Sequence, residues 1–139
     1  MRYLFINSVY GLGSTGKIVA DKCKELKNEG NVCAAAYGRK CADNGAAQLI
    51  KIGTKADYLF HVVMTRLFDL NGYCSRIATY KLISQIEHFK PAVIWLHNLH
   101  GYYLNIGILF KWLKEHPDIK VFWTLHDCWA FTGHCAHFS

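Results

Sequence analysis

The chain has 139 residues, of which 52% are hydrophobic and 19% charged, with a formal net charge of +6. That balance excludes an intrinsically disordered tail. Two prolines in the whole chain exclude a Pro-rich linker or a collagen-like repeat. The length fits one domain that buries roughly 65–70% of its unfolded surface. A pI near 9.0 favours anionic partners: phosphates, nucleotides, nucleic acid or acidic lipid surfaces. The basic residues form no run of five, and Lys22, Lys24 and Lys27 read as the wet face of a helix. No apolar stretch reaches the ~18 residues of a membrane helix. The chain runs from Met1 straight into a strand-like segment, without a signal peptide. A cytoplasmic protein with reduced thiols is therefore expected. Six cysteines are present, and Cys23 and Cys33 read as small core residues.

In chain order the pattern alternates between strands and helices. Residues 3–6 are a short apolar run that ends at Asn7, and a loop is expected over 8–13. Residues 14–28 read as a helix, capped by Ser14 or Thr15 and stopped by Gly30, with Ile18, Val19, Cys23 and Leu26 on one face. A strand over 32–37, a loop over 38–47 and a short strand over 49–52 follow. Helices are expected over 55–70, with Leu59, Val62, Val63, Arg66 and Leu67 in its middle, and from a Ser75 cap to Phe89, with Ile77, Tyr80, Leu82, Ile83 and Ile86. A strand over 92–96, a helix over 104–115 and a strand over 120–125 complete the series. Nearly all-apolar strands separated by helices predict an α/β, Rossmann-like, doubly wound parallel sheet with helices on both faces. Ligands of such sheets bind outside the C-terminal strand ends.

Those ends carry the unusual residues. Gly11-Leu12-Gly13-Ser14-Thr15-Gly16-Lys17-Ile18 lies between a strand and a helix. It is one residue short of a Walker A loop, because Ile18 stands where the Mg²⁺-binding hydroxyl is needed. Such a turn still presents free N–H groups and a helix dipole to a phosphate. A tight turn whose glycines serve only the backbone is the plainer explanation. The second cluster, His97, Asn98, His100, Tyr102 and Tyr103, reads as a polar aromatic rim suited to a sugar, or as loop capping. The third runs from Thr124 to His137 and contains His126 and Asp127. Its Cys128, His134, Cys135 and His137 make an alternative zinc set, although their spacing is no standard finger or ribbon. A P-loop nucleotide-binding protein and a zinc-binding structural module are thus the alternatives to a sugar-phosphate site.

Taken together, residues 8–18, 97–105 and 124–135 resemble the N-terminal half of bacterial family-4 glycosyltransferases of capsular, exopolysaccharide or O-antigen synthesis. The resemblance implies a GT-B architecture of two Rossmann-like domains with the site between them. Residues 1–139 would form the single acceptor-side domain, and the donor-binding domain, with its pair of glutamates, would be absent. It implies a retaining hexosyl transfer from a nucleotide-sugar, with no cofactor required and no nucleic-acid partner. Gly13, Ser14, Thr15, Gly16 and Lys17 would face the donor diphosphate. His126 would lie beside the transferred sugar, and Asp127 would orient it or touch the acceptor. His97, Asn98, His100 and Tyr102 would line the acceptor side, toward a glycan or lipid-linked glycan. Peripheral contact with the inner face of the cell membrane is expected, and no turnover from this polypeptide alone.

Overall fold

The computed structural model describes residues 1–53, 55–68, 76–99 and 103–125. Strands β1 (Arg2–Tyr10), β2 (Val32–Cys41), β3 (Gln48–Lys51), β4 (Val93–Leu96) and β5 (Lys120–Trp123) form one sheet in the order β3-β2-β1-β4-β5. Every neighbouring pair is parallel. Helix α1 (Gly13–Asn28) connects β1 to β2, helices α2 (Lys55–Phe68) and α3 (Arg76–Phe89) lie between β3 and β4, and α4 (Ile106–Lys114) connects β4 to β5, while residues 42–47 join β2 to β3 without a helix. The fold is the α/β, Rossmann-like sheet that the alternating pattern predicts.

Side-chain alternation along the strands explains why helices cover both faces. Leu4, Ile6, Ala34, Ala36, Ile94 and Leu96 point to one side and pack with Leu82 and Ile86 of α3 and with Leu109 of α4. Phe5, Cys33 and Ala35 point to the other and pack with Val19, Cys23 and Leu26 of α1. Cys23 and Cys33 are buried core residues, as expected. Burial pushes both thiols up from their ordinary value, which keeps them neutral and unreactive.

Several boundaries differ from those read in the sequence. β1 continues past Asn7 to Tyr10, because Val9 and Tyr10 pair with Lys40 and Cys41 after a register shift between Asn7 and Val9. β2 correspondingly runs on through Gly38 to Cys41, where a loop is expected. Neither Ser14 nor Thr15 caps α1: Leu12 holds the cap position in extended geometry, with no side-chain hydrogen bond. Ile18 is 48% exposed, on the solvent side of α1 rather than with Val19. Leu59, Val63 and Leu67 of α2 and Tyr80 of α3 are likewise exposed. α4 starts at Ile106, not Leu104, because Asn105 caps it: its Oδ1 accepts from the Ile108 N–H at 3.1 Å. β5 ends at Trp123, short of Leu125. The Ser75 cap lies outside the described residues.

Gly30 ends α1 as expected, at φ +88°, with the Asn31 N–H returning to the Leu26 carbonyl. Among the described residues no helix is long and apolar enough to cross a membrane.

Two isoleucines of α3 test the packing. Ile86 is 0% exposed and Ile77 is 70% exposed. Ile86→Ala should destabilise by about 2–5 kcal/mol and Ile77→Ala by under ~0.5 kcal/mol, read from urea unfolding midpoints. Alkaline pH supplies a second test. The folded Cys23 thiol holds its proton above the ordinary value of 9.0, while the unfolded chain releases it. The unfolded state then binds fewer protons, so stability falls as pH rises through that value. Unfolding at pH 7 and pH 10 should show the loss, and Cys23→Ala should reduce it without abolishing it, because burial raises Cys33 and Tyr10 in the same direction.

Candidate phosphate and sugar site at the strand ends

A parallel sheet brings all its C-terminal ends to one edge. Here the turn after β1 and the exits of β4 and β5 lie side by side, since β1, β4 and β5 are consecutive in the sheet. The turn is tight. Gly11 sits at φ +73°, its N–H donates to the Gly16 carbonyl at 2.8 Å, and a Cβ there would run into the Ala42 carbonyl oxygen. Gly16 is buried at the start of α1, where an added Cβ would lie 3.0 Å from Val9 Cγ2 and 3.2 Å from the Gly11 nitrogen. At Gly11 only glycine fits, because the obstacle is backbone, whereas at Gly16 an added Cβ needs its neighbours to give by a few tenths of an ångström.

The first turn of α1 carries no capping side chain and no acidic residue. Its N–H groups and the positive end of the helix dipole are therefore uncompensated from within the helix. Gly13, Ser14 and Lys17 are exposed, and Thr15 is half-buried. This is the arrangement that binds an anionic oxygen.

Polar bonds tie the β4 exit to this turn. The Asn98 N–H donates to Asn7 Oδ1 at 3.1 Å. Asn7 Nδ2 and Asn98 Nδ2 both reach Thr15 Oγ1, at 3.4 and 3.5 Å. The Tyr103 hydroxyl donates to the Asn98 carbonyl at 2.5 Å, and burial raises its ionisation far above the ordinary phenol, so it stays a donor. The β5 exit is fastened next to it. Trp123 Nε1 donates to the His97 carbonyl at 3.0 Å, Trp95 Nε1 donates to Thr124 Oγ1 at 2.8 Å, and the Thr124 N–H donates to the Leu96 carbonyl at 2.9 Å.

The sequence expectations divide accordingly. Gly13, Ser14, Thr15, Gly16, Lys17 and Asn98 fall at this edge together. His97 does not stand on a rim: it is 4% exposed, stacked on Phe5 and Trp95. Tyr103 is also buried, and holds the β4 exit loop from beneath. Both are drawn inward because an aromatic ring at a strand end gains more from packing than from water. His100, Tyr102, His126, Asp127, Cys128, His134, Cys135 and His137 lie outside the described residues. Among the described residues no three His, Cys, Asp or Glu side chains gather as a metal site. Sequence reading missed Asn7 and Trp123, and placed Thr124 in the third cluster without a role of its own. The available signal for Asn7 was an amide at the end of an otherwise apolar run.

No family model matches the chain, and no solved structure matches it. One curated relative is a protein of Escherichia coli (strain K12) named "Putative colanic acid biosynthesis glycosyl transferase WcaC". It is 32% identical over 93 residues, which are 64% of this chain and 22% of the relative. The chain thus spans 22% of the length of the curated relative it matches.

The two glycines of the turn should differ in tolerance. Gly13 has φ +64° and open space around an added Cβ, so Gly13→Ala should cost about 1–2 kcal/mol. Gly11→Ala adds a backbone collision to the same strain and should cost more. Thermal unfolding of the two variants checks the order.

Proposed function

We propose that the chain is the acceptor-side, Rossmann-like part of a glycosyltransferase of polysaccharide biosynthesis. The observation that carries this reading is the meeting of the uncapped α1 N-terminus with the β4 exit at one sheet edge. The similarity to a protein named for colanic acid biosynthesis gives the glycosyl chemistry. The formal charge of +6 suits a phosphate-bearing substrate.

In this reading the amides at Gly13, Ser14, Thr15 and Gly16, with Lys17, neutralise charge that develops on the departing diphosphate of a nucleotide-sugar. Fixed donors do this without the reorganisation that water requires. Asn98 supplies amide contacts to hydroxyls on the acceptor side, together with His100 and Tyr102. His97 acts from below, fixing the loop that presents Asn98. His126 takes the place beside the transferred hexosyl group, where a neutral imidazole both donates and accepts a hydrogen bond. Asp127 orients it. No cofactor is needed for these roles.

The finer assignment is a retaining, family-4 enzyme of GT-B architecture. Its donor-binding domain belongs to a longer polypeptide, and this chain alone does not turn over. Its place is the cytoplasmic face of the membrane, where lipid-linked acceptors carry negative charge.

The chain should bind uridine diphosphate or pyrophosphate weakly, with a dissociation constant on the order of 1 mM, since one lobe supplies only part of the contacts. Titration followed by amide resonances should move Gly13, Ser14, Thr15 and Gly16. It should yield no product when nucleotide-sugars and a lipid-linked glycan are added together. Resonances of the α1 turn unmoved at 20 mM ligand would contradict the phosphate reading. Robust product would contradict the division between two lobes.

A further inference from the structure

We propose that Asn7 is a positioning residue that sets the α1 turn against the β4 exit, so that the phosphate and acceptor sides of the site hold one fixed separation. The proposal rests on the transferase reading for what the two sides bind. The contacts that carry it do not depend on that reading.

Asn7 sits in the central strand and is 1% exposed. A carboxamide offers one accepting oxygen and two N–H donors. The oxygen accepts the Asn98 N–H at 3.1 Å, which is a contact to the loop that leaves β4. The nitrogen donates to the Val9 carbonyl at 2.8 Å and approaches Thr15 Oγ1 at 3.4 Å. This amide orientation alone pairs an acceptor with the Asn98 N–H and a donor with the Val9 carbonyl.

Geometry makes those bonds directive. The β1–β2 register shifts between Asn7 and Val9, and such irregularities re-aim the backbone that follows. Val9 is held by Asn7, and Val9 Cγ2 borders the start of α1, 3.0 Å from where a Cβ on Gly16 would lie. Fixing Val9 therefore fixes the start of α1. The same side chain fixes Asn98. Thr15 closes the triangle, because its hydroxyl faces amide donors from both Asn7 and Asn98. With both lone pairs facing those donors, its own proton is directed away from them. No other residue within the described segments joins Val9, Thr15 and Asn98 through one side chain.

The roles of the three groups in Asn7 differ from simple core packing. A leucine of similar size would fill the space but leave the Asn98 N–H and the Val9 carbonyl without their partners. An aspartate would keep the acceptor and place a second oxygen against the Val9 carbonyl.

Amide hydrogen exchange tests the coupling directly. The His97 N–H, bonded to the Ile6 carbonyl at 2.9 Å in the sheet, serves as internal reference. In the wild-type chain the Asn98 N–H should be protected. In Asn7→Ala its exchange should quicken roughly tenfold relative to His97, the ratio expected for loss of one buried hydrogen bond. A rapidly exchanging Asn98 amide in the wild type, or equal acceleration of both amides in the variant, would overturn the proposal. Pyrophosphate as probe gives a second reading, in Asn7→Ala and in the milder Asn7→Ser. The wild type should show linked shifts at Gly16 and Asn98. Both variants remove the bonds from one side chain to Val9 and Asn98, and should keep the response at Gly16 and lose that at Asn98. An undiminished Asn98 response in either folded variant would overturn the proposal. If pyrophosphate moves no resonance of the wild type, the phosphate reading fails, and the exchange ratio alone decides whether Asn7 couples the two loops.

Discussion

Parallel pairing of β1 with both of its neighbours is the constraint on which everything else rests. Parallel strands need crossover connections, and each crossover here leaves the sheet at the same edge. The turn into α1 and the exits of β4 and β5 are therefore neighbours in space although far apart in the chain. The pairings Leu4 with Ile94 and Leu4 with Ala34 place β1 between β4 and β2. Small residues make this possible. Ala34, Ala35 and Ala36 give β2 two low faces on which helices settle closely.

At that edge the protein replaces water with its own polar groups. Tyr103, Trp123, Asn7 and Thr124 fix loops there through directed hydrogen bonds. Fixed polar groups of this kind bind charge well because they do not need to turn toward it. The first turn of α1 has no side-chain cap, which leaves its amides open to an acceptor from outside the helix. The opposite condition holds for Cys23 and Cys33, whose burial keeps them neutral and out of any chemistry.

Much of this was legible in the sequence, for identifiable reasons. The order of elements follows from apolar runs such as residues 3–6 and from the stop at Gly30, which act locally. The site was legible as a place, because glycines cluster after β1 and imidazole and amide groups follow β4. Its internal roles were less so. His97 looks like a surface ligand in the sequence, but Phe5 and Trp95 draw its ring inward. Asn7 looks like the end of a strand, but it lies within one, because β2 continues past Gly38 and supplies partners for Val9 and Tyr10. Leu12 replaces Ser14 as the cap, because the turn at Gly11 and Gly16 fixes where the helix can begin. Each of these depends on contacts between residues distant in the chain, which periodicity does not report.

The central claim is that the α1 turn and the exits of β4 and β5 lie together at one edge of the sheet. Two strand spacings separate β1 from β5, or about 10 Å. A nitroxide label on the exposed Ser14 side chain tests this through paramagnetic broadening of assigned amide resonances. The account predicts strong broadening at Asn98, Thr124 and Leu125, and none at Gly30 and Lys90 at the far edge. Sharp Thr124 and Leu125 resonances beside a broadened Gly30 would contradict it.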